Sequence, residues 1–232
     1  NLYRDPDSIA TRETQVNSLL CPDAARLAVE SGDAAIVGTV LHEAAHNLGA
    51  NGSWKVDGRS DDAIFGGSMA ATLEELKAQT LALHLNAWLQ KTGKLRREEG
   101  VSAWLHDITW AFGHISRGMT TPEGKAKPYA QLASVQIGRL LAAKALTWRP
   151  QAVAASGVDR GCFSIDIEAV PAAVAALASD VLAVKVRGEP AAAALLIDKW
   201  TAETGEHAAL RAVIRARWLR APKATFVYSV AL

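Results

Sequence analysis

The sequence predicts a mainly α-helical fold with a small α+β portion near its C-terminal end. Residues 33–48 carry apolar side chains at helical spacing on one side and polar side chains on the other, the pattern of an amphipathic helix. Residues 68–90 are rich in Ala, Leu, Glu, Lys and Gln, which favour helix. The alternation typical of strands is found in two short segments, 162–169 and 224–230.

The remaining elements follow in order along the chain. Residues 1–30 contain turn or helix-start signals, and a loop rich in Gly, Asn, Ser and Asp covers residues 49–66. Further helices are predicted over the ranges 96–117, 129–148, 171–186, 191–201 and 207–219. Because the character of the sequence changes after Pro150, we divide the chain into a helical region, 1–150, and an α+β portion, 151–232, packed on the same domain.

The composition indicates a globular protein with a substantial core. Half of the 232 residues are hydrophobic and 21% are charged, which is ordinary for such a protein. The formal charge of +1 gives no electrostatic basis for binding nucleic acid or an anionic membrane. No apolar run is long enough to span a bilayer, so we expect a soluble protein. Cys21 and Cys162 are too few to suggest a disulfide framework, and we expect two small buried residues.

The most informative motif lies in the predicted helix 33–48, on its polar side, and reads His42-Glu43-Ala44-Ala45-His46. Positions four apart share one face of a helix, so both imidazoles can bind one metal ion. Glu43 then lies beside the metal, where it can take a proton from a bound water. The pattern therefore predicts a zinc hydrolase site.

A catalytic zinc ion usually has three protein ligands, so a third ligand is needed. The following helix offers Glu74 and Glu75. The helical row that contains Glu75 is the most polar one and suits a solvated cleft, whereas the row that contains Glu74 is largely apolar. This pattern favours Glu75 as the ligand and leaves Glu74 as the alternative, or as a hydrogen-bond partner of a ligand histidine.

These two motifs resemble the zinc-binding core of the dipeptidyl peptidase III family. That family pairs an H-E-x-x-(G)-H helix with a helix similar to E-E-C-R-A-E, and this chain has His42–Gly49 followed by Leu73–Gln79. The resemblance covers about residues 30–205. It is closest at the two motifs and returns at residues 186–192, which resemble a G-D-Y-x-x-A turn.

The resemblance implies a helical zinc-peptidase catalytic domain. In the family pattern the second Glu of the pair binds zinc, which maps to Glu75, and the implied substrate is a peptide. The five-residue form of the first motif is similar to a divergent branch of the family. The family's transition-state-stabilising His has no clear counterpart; the rough alignment places Gln131 or its neighbours near that position. The chain also lacks the sequence for a second lobe, so we expect an upstream lobe or a companion chain to complete the cleft.

Other polar residues of the third and fourth predicted helices could contribute to the cleft. His106 and His114 are eight residues apart and lie near one helix face, so we name His114 as a candidate catalytic residue that steadies an oxyanion. Asp107 and Tyr129 are further candidates. Two alternatives to a peptidase remain: a zinc-binding module without hydrolytic activity, and a zinc hydrolase that acts on a non-peptide amide or ester.

Overall fold

A computed structural model describes residues 5–28 and 32–221, and the predicted strand 224–230 lies outside these residues. The elements, in chain order, are α1 (Pro6–Leu19), α2 (Pro22–Leu27), α3 (Gly32–His46), α4 (Asp61–Phe65), α5 (Gly67–Lys91), α6 (Arg97–Ile115), α7 (Pro128–Ala142), β1 (Leu146–Val153), β2 (Arg160–Ile165), α8 (Val170–Arg187), α9 (Pro190–Thr201) and α10 (Glu206–Trp218). The prediction of a mainly α-helical fold is confirmed.

The long helix α5 lies at the centre of the helical assembly. It packs against α3, α4, α6, α7, α8 and α9. Its apolar residues, such as Leu73 and Leu76, are fully buried in a cluster with α7, α8 and α9. A second, larger cluster joins α6 to the hairpin, where the rings of Phe112 and Phe163 stack with centroids 5.0 Å apart. Burial from several sides therefore fixes α5 firmly.

The first strand of the hairpin begins within a segment that the sequence predicts as helix. Strands β1 and β2 form an antiparallel pair in which Trp148 lies opposite Phe163. The predicted helix 129–148 is thus wrong in its last residues, because α7 ends at Ala142 and Lys144 has a φ of 59°, which breaks the helix. β1 runs through residue 150, the predicted boundary between the helical region and the α+β portion, and this division stays a prediction.

The N-terminal segment, in which the sequence predicts turns or helix starts, forms α1 and α2. The side chain of Asp5 caps α1 by accepting a hydrogen bond from the backbone N–H of Ser8. Val16, Leu19 and Leu20 enter the same cluster as α6 and the hairpin. In the described part of the chain, no helix is both long enough and apolar enough to cross a membrane.

Cys21 and Cys162 form a disulfide bond, which corrects the expectation of two independent buried residues. Their Cα atoms are 5.0 Å apart, although 141 residues separate them in the chain. Cys21 follows α1 and its backbone N–H donates to the carbonyl of Phe163 in β2. Neither cysteine belongs to a spacing motif, so only the folded chain shows that they meet.

The disulfide is expected to contribute substantially to stability. Replacing both cysteines, Cys21→Ala with Cys162→Ala, should lower the free energy of unfolding by about 2–5 kcal/mol, because the bond restricts a long loop of the unfolded chain. Urea unfolding at pH 7 measures this difference. Reductant should lower the free energy of unfolding of the wild type to that of the double variant and leave the double variant unchanged. Equal free energies of unfolding for the reduced and the oxidised wild type would contradict the prediction.

Candidate metal centre

Three side chains from α3 and α5 converge on one point. The Nε2 atoms of His42 and His46 are 3.2 Å apart, and Oε2 of Glu75 lies 3.2 Å from the first and 3.8 Å from the second. One ligand atom from each residue lies within 4.8 Å of the others. The structure thus brings together the three residues that the sequence predicts as metal ligands.

The crossing of α3 and α5 allows this convergence because both helices carry small residues where they touch. Ala45, within the motif itself, and Ala78 are fully buried in one cluster, with Leu81 and Ala178 beside them. Short side chains let two helix backbones approach closely. The two motif histidines lie four residues apart on α3. They then face the N-terminal half of α5, which carries Glu75.

The Nδ1 atom of each histidine is held by a hydrogen-bond acceptor on α5. Oε1 of Gln79 lies 2.8 Å from Nδ1 of His42, and Oε1 of Glu74 lies 2.9 Å from Nδ1 of His46. An acceptor at Nδ1 fixes the proton there and leaves the lone pair on Nε2. Both lone pairs therefore point toward Glu75. The sequence predicts Glu74 either as the alternative ligand or as such a partner, and its contact with Nδ1 of His46 fits the second role.

Glu74 is also the anion between two completely buried lysines. Nζ of Lys77 and Nζ of Lys185 each lie 2.9 Å from the Glu74 carboxylate, and both lysines are 0% exposed. Burial alone would raise the pKa of Glu74, but hydrogen bonds from His46, Lys185 and Lys77 outweigh it and lower the pKa to about 2. The carboxylate is thus charged and rigidly held.

Each lysine has a second set of partners that completes this network. Lys77 donates to the backbone carbonyls of His46 and Leu48, which lie at the C-terminal end of α3. Lys185, from α8, also pairs with Asp61 of α4. Two carboxylates therefore balance two ammonium groups, and the network fixes the end of α3 that carries His46.

The donor set fits a divalent metal ion. Oε2 of Glu75 is buried and has no hydrogen-bond partner among the described residues. A buried carboxylate oxygen that faces two imidazole lone pairs is unfavourable unless a cation lies between them. Two histidines and one carboxylate are a common set of zinc ligands. Burial alone would lower the pKa of His42, but the adjacent carboxylate of Glu75 and the amide oxygen of Gln79 outweigh it, and the pKa is raised.

A cavity of about 260 Å³ adjoins the site at His42, and its wall also includes Glu43. Glu43 is exposed on the same face of α3 as the histidines. Tyr129, at the start of α7, also lines this cavity. Burial and the nearby carboxylate of Glu75 raise the pKa of Tyr129 to about 12, so its hydroxyl stays protonated.

His114, which the sequence predicts to steady an oxyanion, packs against two of the residues that line this cavity. Its ring packs against Trp110, with centroids 4.2 Å apart, and against Tyr129 at 5.3 Å. His114 is not among the residues that line the described cavity. Its catalytic role stays a prediction. His106 and Asp107, in contrast, do line the cavity.

The sequence did not identify Gln79 as the partner of His42, nor the two lysines that hold Glu74. Gln79 lies four residues after Glu75 and so shares its helix face, a signal that could have identified it. Lys77 lies three residues after Glu74, but its full burial could not be read from local sequence. Lys185 lies 111 residues from Glu74, and nothing in its neighbourhood marks it.

Comparisons with known proteins identify structural neighbours. No protein-family model and no curated protein matches the chain. Among solved structures, dipeptidyl peptidase III from Caldithrix abyssi matches with a TM-score of 0.74 and 20% sequence identity, over 91% of this chain and 36% of that one. Dipeptidyl-peptidase III from Corallococcus sp. strain EGB matches with a TM-score of 0.70 and 18% identity, over 90% and 34%. The chain thus spans about a third of each neighbour and shares the fold of that part.

The Glu74 network is expected to be essential for stability. Glu74→Gln should lower the free energy of unfolding by about 3–5 kcal/mol, because it leaves two buried ammonium groups without their common anion. Urea unfolding in the presence of a chelator separates this effect from metal binding. Glu203→Gln, at an exposed carboxylate, is the matched control. A loss below about 1 kcal/mol would show that the network is not strongly coupled.

A pH dependence of stability follows from the environment of His114. Burial, with a smaller contribution from Arg117, lowers the pKa of His114 to about 4, below the value of about 6.5 in an unfolded chain. The unfolded state therefore binds more protons between these values, and the free energy of unfolding should fall as the pH decreases from about 6.5 to about 4.

The variant His114→Phe tests this expectation because it removes the titrating group and keeps a ring against Trp110. Urea unfolding of metal-free protein at several pH values should give a shallower slope for this variant than for the wild type. His84→Phe, at an exposed histidine, is the control. Identical slopes for His114→Phe and the wild type would refute the assignment.

Proposed function

We propose that the chain is the catalytic part of a zinc-dependent metallopeptidase similar to dipeptidyl peptidase III. The observation that carries the proposal is the convergence of His42, His46 and Glu75, whose ligand atoms lie within 4.8 Å of one another. The acceptors at both Nδ1 atoms support it, because they direct the two Nε2 lone pairs to the same point.

Zinc suits this site by charge and by ligand type. The two histidines, with Glu75, give three protein ligands and leave a fourth position open, which is the arrangement of catalytic rather than structural zinc sites. The nearby network of Glu74, Asp61, Lys77 and Lys185 is internally balanced, so it does not neutralise the carboxylates of Glu75 and Glu43. A divalent cation balances these two charges.

The residues around the site have distinct chemical roles in this proposal. When bound, zinc would lower the pKa of a water molecule toward neutrality and polarise a scissile carbonyl. Glu43, adjacent to a ligand histidine and exposed to the cavity, would accept the proton of that water and pass it to the leaving amine. Gln79 and Glu74 keep the imidazoles oriented throughout.

The peptide substrate is proposed from the likeness to the two dipeptidyl peptidase III structures. Because the chain spans about a third of their length, the other wall of a substrate cleft is proposed to come from an upstream lobe or a companion chain. Because the chain covers only about a third of each of these structures, a second candidate function is a zinc-binding module without hydrolytic activity. A zinc hydrolase for a non-peptide amide or ester is the remaining alternative.

The variant Glu43→Gln separates these functions. It should retain one zinc per chain, because Glu43 is not a ligand, and should lower kcat for peptide hydrolysis about 10²–10⁴-fold, because the general base is lost. His46→Ala should lose the metal itself. Metal analysis of the dialysed protein and cleavage of a peptide library by the full-length parent protein provide the two measurements.

Glu98→Gln, at an exposed carboxylate on α6, is the control for the loss of one negative charge. Zinc bound without any peptide cleavage, by the wild type as well as by Glu43→Gln, would support the binding module and reject the peptidase. Cleavage of esters or small amides but not of peptides would support the third function.

A further inference from the structure

A second cavity lies between the C-terminal part of α5 and the N-terminal parts of α6 and α8. Its volume of about 600 Å³ falls within the range of roughly 300–1,000 Å³ found for pockets that hold drug-sized ligands. Its lining includes His84, Trp88 and Lys91 from α5, Arg97 and Trp104 from α6, and Pro171 from α8. Trp88 lies about 20 Å along α5 from Glu75, so this cavity is separate from the candidate metal centre.

Hydrogen bonds between α5 and α6 fix the walls of this cavity. Nε1 of Trp104 donates to the backbone carbonyl of Leu83 at 3.1 Å, and Nδ2 of Asn86 donates to that of Gly100 at 3.0 Å. Gln90 packs directly on the backbone of α6, where a Cβ atom at Gly100 would lie 2.3 Å from its side chain. The cavity is therefore formed by the packing of the helices and needs little rearrangement to accept a ligand.

Trp88 presents a half-exposed aromatic surface to the cavity. It is 48% exposed, and in the part of the chain that the structure describes no other aromatic ring stacks on it. His84 and Lys91 lie four residues before it and three residues after it, on the same face of α5. A planar ring stacked on the indole would bury apolar surface that now faces water, and aromatic pairs favour such a contact. The apolar part of a fitting ligand is therefore a planar ring.

The charged groups around the cavity favour an anion. Lys91 and Arg97 line it, whereas no Asp or Glu is among the described residues that do so. Within residues 5–28 and 32–221, Lys91 has no ion-pair partner. Arg97 pairs with Glu168, but the two side chains are 60% and 77% exposed, and such a surface pair is weak enough to exchange for another anion. The cavity thus offers one unpaired cation and a second one that an incoming anion can share.

We propose that this cavity binds a small aromatic anion, a planar ring that carries a carboxylate or a phosphate group. The ring stacks on Trp88, and the anionic group pairs with Lys91 and Arg97. The imidazole of His84, on the same wall, supplies a further hydrogen bond. The inference does not rest on the proposed peptidase, because the cavity includes none of the candidate metal ligands.

Binding is measured by fluorine NMR of the full-length parent protein labelled with 5-fluorotryptophan, in metal-free and in zinc-loaded form. The resonance of Trp88 is assigned by its loss in the variant Trp88→Leu. Four probes separate the contributions of ring and charge. Naphthalene-2-carboxylate and 2-naphthyl phosphate are aromatic anions, naphthalene-2-carboxamide is a neutral counterpart, and cyclohexanecarboxylate is an anion without an aromatic ring.

We expect at least one aromatic anion to shift the resonance of Trp88 with a Kd of about 1 mM or tighter. It should bind about tenfold more tightly, or better, than the neutral amide and than cyclohexanecarboxylate. The tighter of the two aromatic anions identifies a carboxylate or a phosphate as the preferred group. Metal-free and zinc-loaded protein should give the same Kd, because no candidate metal ligand lines the cavity.

Two variants change the charge of the cavity in opposite directions. Lys91→Gln should weaken the binding of the aromatic anion about tenfold and leave that of the amide unchanged. Glu168→Gln should tighten the binding of the anion, because it frees Arg97 from its ion pair. Lys94→Gln, at an exposed lysine that does not line the cavity, is the matched control and should bind as the wild type does.

The contribution of the ring is tested with Trp88→Leu, for which binding is followed through the proton resonances of the probe. This variant should remove the advantage of the aromatic anion over cyclohexanecarboxylate. Trp54→Leu, at a tryptophan that is 40% exposed and does not line the cavity, is the control and should keep the advantage.

A wild type that binds neither aromatic anion, or that binds anion and amide equally, overturns the proposal. A resonance of Trp88 that stays unchanged while another tryptophan responds overturns it as well, as does wild-type affinity in folded Lys91→Gln. Weaker binding of the anion by Glu168→Gln would reject the role of Arg97. Binding as expected by a protein that hydrolyses no peptide would retain this site and reject the peptidase, so the two proposals can fail independently.

Discussion

The arrangement of the candidate site depends on the carboxylate of Glu74. It accepts hydrogen bonds from His46, Lys77 and Lys185, which belong to three different helices, α3, α5 and α8. Because the two ammonium groups are fully buried, neither can find water as a substitute partner. The orientation of His46 and the packing of α8 against α5 are therefore parts of one electrostatic constraint.

This constraint explains how adjacent glutamates serve different purposes. Glu74 faces inward, where lysines neutralise it, whereas the neighbouring Glu75 faces the histidines with a buried oxygen that has no hydrogen-bond partner among the described residues. About 100° of rotation around α5 separates the two environments. The three candidate metal ligands are consequently held in place by the surrounding residues, and the site needs little rearrangement to accept an ion.

The sequence was sufficient where the determining spacing is local. The four-residue interval of His42 and His46 and the polar row of Glu75 identified residues that the structure brings together. It was insufficient where the partner is distant in the chain. The pairing of β1 with β2 extends the residues up to Trp148 into a strand, although their sequence pattern is helical. The contact of Lys185 with Glu74 spans 111 residues. Helical periodicity describes one element at a time, whereas such contacts depend on how the elements are assembled.

The disulfide has a topological consequence for the site. Cys21 and Cys162 enclose a covalent ring that contains α3, α5, α6 and α7, and hence both histidines, Glu75 and Asp107. A single break of the backbone in the exposed loop between α3 and α4, or between α6 and α7, opens this ring without separating its two pieces. The assembled cleft can thus survive a nick that would divide an unbridged chain into two molecules.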